Sequence, residues 1–215
     1  MIFANRYDAG RRLAGLLERY RAERPVLLAL PRGGVPVAFE VARALGAPLD
    51  VCVARKLGVP GAEEVAMGAV AGGTAVVDHE LIARLGIPNT YVQRVVAREI
   101  AEMARQEGTF RRGRAPIDVA GRTVILVDDG LATGATAYAA VKALRTRNPR
   151  RIVFASPVCA PDGAEMLRGV ADDVICVDCP ADFRAVGLWY EDFSPVSDAE
   201  VVDCLEAVAP GRISA

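Results

Sequence analysis

Val124-Ile-Leu-Val-Asp-Asp-Gly-Leu-Ala-Thr-Gly-Ala-Thr136 contains, in order, an apolar run, two adjacent carboxylates and a turn of small residues that opens a helix. Four consecutive aliphatic side chains, Val124 to Val127, are the pattern of a strand covered on both faces. Ligands of open α/β sheets bind outside the carboxyl ends of the strands, and Asp128 and Asp129 fall at that end. A phosphate seated where the helix begins would meet exposed backbone N–H groups, the positive end of the helix dipole and the hydroxyls of Thr133 and Thr136. Ala132, Gly134 and Ala135 keep side chains out of its way. Adjacent carboxylates are poor phosphate ligands but good acceptors for neighbouring sugar hydroxyls. Phosphate on the turn and a diol on the acids together describe a ribose phosphate.

Outward from this stretch, similar units recur. Val26-Leu-Leu-Ala-Leu30 is a continuous apolar run that stops at Pro31-Arg-Gly-Gly34, and a helical pattern follows from about Val37 to Leu45, ending at Gly46. Leu49 to Ala54, Ile125 to Val127, Arg151 to Ala155 and Asp173 to Val177 read as further buried strands. Leu13, Leu16, Leu17 and Tyr20 recur at helical spacing in an amphipathic opening helix over Asp8 to about Arg21. Ser197-Asp-Ala-Glu200 is a capping box for a closing helix to Val208. Strands alternating with helices predict a doubly wound, mainly parallel α/β sheet. Two stretches fall outside that scheme. Residues 55–77, rich in glycine and carrying Glu63-Glu64, read as a loop with short strands. Residues of about 78–115 read as a helical insertion ending in Arg111, Arg112 and Arg114, which as a group read as a solvated face rather than a phosphate or RNA site.

The chain has 215 residues, 52% hydrophobic and 25% charged, enough for one domain with a substantial core. Its 26 basic and 27 acidic side chains nearly cancel, so no global field favours nucleic acid or an anionic membrane, and any anion site must be local. No apolar window reaches membrane-spanning length and the first residues lack a signal-peptide pattern, which predicts a cytoplasmic protein. Of the five cysteines, Cys176 and Cys179 form a single C-x-x-C. With one histidine and no second C-x-x-C, these read as structural cysteines at a strand end, and no disulfide is expected. His79 reads as a surface residue near a helix start.

Val-Asp-Asp-Gly-Leu-Ala-Thr-Gly-Ala-Thr, residues 127–136, resembles the phosphoribosyl pyrophosphate motif of type I phosphoribosyltransferases, and its Leu-Ala-Thr-Gly core is most similar to the adenine and uracil enzymes. The resemblance implies ribose hydroxyls on Asp128 and Asp129, and the 5-phosphate on Ala132, Thr133, Gly134, Ala135 and Thr136. Hypoxanthine and guanine enzymes carry an aspartate where this chain has Ala132, so that use of the loop is not implied. Pro31, Arg32, Gly33 and Gly34 resemble the family's pyrophosphate loop. Arg55-Lys56, before a glycine- and proline-containing stretch, resembles the pair that precedes the mobile loop in adenine and orotate enzymes; both readings place cations against a polyanion. Phe183-Arg-Ala-Val-Gly-Leu-Trp-Tyr190, within a hood of about 180–196, is similar to the Val-Gly stretch that reads the base, with Val186, Phe183, Trp189 and Tyr190 as candidates.

The reaction so implied is attack of a nitrogenous base on ribose C1 with loss of pyrophosphate. Mg²⁺ would be held through pyrophosphate and water and by Asp128 and Asp129, and Arg55 and Lys56 would support catalysis beside the two acids. The implied partners are phosphoribosyl pyrophosphate and a base, in a homodimer or higher homo-oligomer, with no nucleic acid or membrane. Two alternatives stay open: a ligand-sensing protein that keeps the fold and the ribose phosphate site without catalysis, and a ribose-phosphate enzyme of another type, such as a phosphorolytic one.

Overall fold

The computed structural model describes residues 2–208, apart from the side chains of Glu63 and Glu64. Helix α1 (Arg6–Leu17) starts at Asn5, whose side chain accepts the Asp8 N–H. A 3-10 turn over Glu18–Glu23 carries the chain into β1 (Val26–Ala29). Then follow α2 (Gly34–Leu45), β2 (Leu49–Val51), β3 (Ala54–Val59), β4 (Ala62–Ala71) and β5 (Thr74–Val77). Helices α3 (His79–Arg84) and α4 (Asn89–Arg111) precede β6 (Thr123–Val127), α5 (Ala135–Arg145), β7 (Arg151–Val158), α6 (Pro161–Arg168), β8 (Asp173–Asp178) and α7 (Asp198–Ala207).

Five strands form a parallel sheet in the order β2-β1-β6-β7-β8. Alternate residues serve opposite faces. Leu27, Ala29, Ile125, Val127, Val153 and Ala155 join the core beneath α1, α2 and α7, while Val26, Leu28, Val124, Leu126, Ile152 and Phe154 join the one beneath α5 and α6. That two-sided burial is why these strands read as unbroken apolar runs. From the β1–β6 pair the chain leaves in opposite directions, through α2 to β2 and through α5 to β7. The crevice above their carboxyl ends is therefore the topological switch point of the sheet.

The stretch after β2 differs from the expectation of a loop with short strands. It is a three-stranded antiparallel sheet, β3-β4-β5, with a ten-residue central strand. Alanine and glycine carry little of the side-chain alternation by which a strand is recognised. Gly68 is required by packing: a Cβ there would sit 2.3 Å from the Val76 carbonyl oxygen of the neighbouring strand. Leu57, Met67 and Val70 from this sheet pack with Val92, Val95 and Met103 of α4. Leu49 to Ala54 also divides, with β2 ending at Val51 and β3 starting at Ala54.

A second difference concerns the cysteines. Cys159, just past β7, and Cys176 in β8 are disulfide-bonded, with Cα atoms 6.1 Å apart. This corrects the expectation of no disulfide: Cys176 is bonded across neighbouring strands while Cys179 is exposed, and spacing along the chain does not register that lateral proximity. His79 is exposed at the first position of α3.

Ser197 accepts the Glu200 N–H and caps α7, so Ser197→Ala should cost about 1 kcal/mol in urea unfolding.

Candidate functional site

At the switch point two loops face each other. The loop after β1 is Pro31-Arg-Gly-Gly34, with a cis peptide between Pro31 and Arg32; the one after β6 is residues 128–134. Their glycines allow the approach. A Cβ on Gly33 would lie 1.9 Å from Asp129 Oδ2, and one on Gly34 would lie 2.6 Å from the Val127 carbonyl oxygen. The Gly34 amide donates to the Leu30 carbonyl and proline has no N–H. The donors this loop can offer an anion are therefore the Arg32 and Gly33 amides.

The second loop is anchored on the neighbouring strand: Asp128 N–H donates to the Ala155 carbonyl, Leu131 N–H to that of Val158, and Ala160 N–H to that of Leu131. Asp128 Oδ1 accepts the Asp129 N–H at 2.9 Å. Gly134 takes the left-handed conformation, φ 77°, and begins α5 with no side-chain cap. Ala132, Thr133, Ala135 and Thr136 are exposed around it. An uncapped, exposed helix start that presents backbone N–H groups is suited to an anion.

Sequence reasoning missed Arg6, at the start of α1. Its Nε donates to Asp129 Oδ2 at 2.8 Å, and its Nη1 donates to the Ser194 carbonyl at 2.8 Å. The guanidinium stacks 3.9 Å from the Phe193 ring centre. No local signal marks it, since it lies 123 positions from its carboxylate.

Burial, and then the charge of adjacent Asp129, push the Asp128 carboxyl well above its ordinary range. The fold therefore binds this proton more tightly than the unfolded chain does. Its favourable contribution is complete below the ordinary carboxylate range and is lost as pH rises through the elevated value. We expect Asp128→Asn to raise the Tm of the ligand-free protein at neutral pH, and the gain to shrink as the solution is made mildly acidic, in calorimetry over a pH series.

Two of the expected cations are engaged with acids from other elements. Arg32 Nε lies 2.7 Å from Asp198 Oδ1, both side chains half-exposed, and Arg55 Nε donates to Glu99 Oε2 of α4 at 2.6 Å. Arg55 and Lys56 nevertheless line the same cleft, of about 660 Å³, as Ala135 and Thr136. Two segments read separately from sequence thus meet across one space.

On the other side, Val186 closes over the acidic loop. A Cβ on Gly130 would lie 2.2 Å from a Val186 methyl. Phe183, Val186 and Trp189 pack around Phe3, Ala9, Val158 and Tyr190. Tyr190 departs from its expected stacking role: it is buried, and its hydroxyl donates to the Asp129 backbone carbonyl. Its ring lies between those of Phe3 and Phe193.

Of the arginines at the end of α4, Arg112 is exposed, as expected of a solvated face, whereas Arg111 and Arg114 are half-buried and tied into the fold. Arg111 is paired with Asp50 and Glu107, Arg112 with Glu206, and Arg114 donates to the carbonyls of Arg111 and Leu205.

The sheet is doubly wound, and its switch point carries an acidic pair, a glycine turn packed against it and an open helix start. The sequence profile of the phosphoribosyl transferase domain matches residues 2–192, and the chain belongs to that family. A Mycobacterium tuberculosis (strain H37Rv) protein provisionally named a phosphoribosyl transferase is 44% identical over 206 residues, 95% of this chain but 46% of the relative. The chain thus spans about half the length of that curated relative. The crystal structure of TT1426 from Thermus thermophilus superposes with a TM-score of 0.87 at 43% identity, over 95% of this chain and 98% of that one. A uracil phosphoribosyltransferase of Staphylococcus saprophyticus is 38% identical over 61 residues, 28% of this chain and 29% of the relative. Among the described residues no helix is long and apolar enough to cross a membrane.

Proposed function

We propose that the chain transfers ribose 5-phosphate from phosphoribosyl pyrophosphate to a nitrogenous base, as in nucleotide salvage, and releases pyrophosphate. One observation carries this above the others: the backbone of Gly33 lies directly against the carboxylate of Asp129, so a pyrophosphate on the first loop and a ribose on the second would be contiguous. Asp128 and Asp129 accept the ribose hydroxyls. The amides and hydroxyls of Ala132 to Thr136 take the 5-phosphate, and Arg32, Gly33, Arg55 and Lys56 take the pyrophosphate. Residues of about 180–196 serve as the hood, where Val186, Phe183 and Trp189 border the base, and 78–115 as an insertion that carries Glu99 to Arg55.

The nitrogen of the base forms its bond to C1 as the bond from C1 to the pyrophosphate oxygen breaks, the electron pair leaves with pyrophosphate, and the proton of that nitrogen is released to solvent. Negative charge grows on the departing group, where preformed cations and amides stabilise it most. On the chain's side a divalent ion would find two carboxylates, one of them engaged by Arg6. This fits Mg²⁺ bound chiefly through pyrophosphate oxygens and water. When bound, the ion neutralises pyrophosphate charge.

Arg55 held by Glu99 favours a second assignment, a ligand-sensing protein in which the cation is not delivered to the donor. Incubation with Mg²⁺, phosphoribosyl pyrophosphate and a panel of bases headed by uracil and adenine separates the two. Pyrophosphate release with one base supports transfer, binding without release for every base supports sensing, and no binding of the donor refutes both.

A further inference from the structure

Asp129 is clamped rather than merely exposed at a loop. Gly33 limits its carboxylate on one side, where a Cβ would be 1.9 Å from Oδ2. Arg6 holds the same oxygen on another, and Tyr190 fixes the backbone carbonyl of the residue. The Arg6 and Asp129 side chains are only 10% and 15% exposed. This is far from the solvated surface pair that contributes little. Arg6 is itself constrained by the Ser194 carbonyl and by stacking on Phe193, and the flat guanidinium suits both partners at once.

Two chemical consequences follow from that geometry. Arg6 takes Oδ2 of Asp129 and leaves Oδ1 as the oxygen for a sugar hydroxyl. It also neutralises a carboxylate that would otherwise repel the phosphates of the donor. We infer that Arg6 is a positioning residue: it orients Asp129 toward the ribose, and through Ser194 and Phe193 it ties that orientation to the segment bordering the base. The inference rests on the ribose phosphate assignment of residues 128–136.

A double-mutant cycle on the full chain tests it, with binding of Mg²⁺-phosphoribosyl pyrophosphate measured by isothermal titration. Arg6→Met should weaken binding about tenfold or more in the otherwise unchanged protein, the scale of a charge-assisted hydrogen bond. In an Asp129→Ala background, where no acceptor remains for Arg6 to orient, it should change affinity by less than about twofold. Arg6→Lys keeps the charge without the fork, should lose an intermediate amount, and carries the same cycle if Arg6→Met does not fold. A purely structural arginine would cost the same in both backgrounds, and that result, or no loss in either, overturns the inference while leaving the ribose phosphate site standing. Failure of the unmodified protein to bind the donor overturns both.

Discussion

Asp128→Asn combined with Asp129→Asn should lower affinity for Mg²⁺-phosphoribosyl pyrophosphate by about tenfold or more. The fold should be undisturbed. Asp129, paired with Arg6, is the charged acceptor of the two, and a hydrogen bond to a charged acceptor contributes about 1.5–3 kcal/mol. Structural damage is not expected, because both changes are isosteric. The Asp128 side chain accepts the Asp129 N–H, which an asparagine oxygen can also do, and its charged form is already disfavoured by burial. An amide oxygen at 129 can likewise still accept from Arg6. Titration calorimetry beside thermal unfolding checks both halves, and unchanged affinity would reduce the pair to a structural turn.

Arg111→Ala should be the most destabilising single change at a charged position discussed above, by about 3–5 kcal/mol, because it leaves a buried carboxylate unpaired. Asp50 is 8% exposed at its side chain and Arg111 12%. Asp50 also accepts the N–H groups of Val51 and Ile117, while Arg111 reaches the Val51 carbonyl and Glu107. This one cluster fastens the end of α4 to β2. Arg112→Ala, which breaks an exposed pair with Glu206, should cost less than about 1 kcal/mol. Urea unfolding of the two variants compares them directly. A donor affinity that falls in a still-folded Arg111→Ala protein would instead return the cluster to a phosphate-binding role.

What was legible in the chain is what is local in it. Strands β1, β6 and β7 appear as apolar runs because both their faces are buried, and the segment from Val124 to Thr136 places strand, acids and helix start next to one another. The order of the strands has no local signature. Neither does β3-β4-β5, where alanine and glycine carry little pattern and Gly68 answers to the Val76 backbone across the sheet. The same holds for the partners of single charges. Arg6 meets Asp129, Arg111 meets Asp50 and Arg55 meets Glu99 only through the tertiary fold, at separations of 123, 61 and 44 residues. Cys159 and Cys176 meet through the lateral pairing of β7 with β8. The Asp128–Asp129 motif was thus readable from sequence, whereas the groups that orient it were not.

A crystal structure of the protein with Mg²⁺ and phosphoribosyl pyrophosphate tests the central claim most directly. The 5-phosphate should lie on the amides and hydroxyls of residues 132–136, the ribose hydroxyls on Asp128 and Asp129, and the pyrophosphate beside Gly33 with Arg32, Arg55 or Lys56 turned toward it. A donor bound with its phosphate away from the start of α5, or with no sugar hydroxyl on either aspartate, would contradict it.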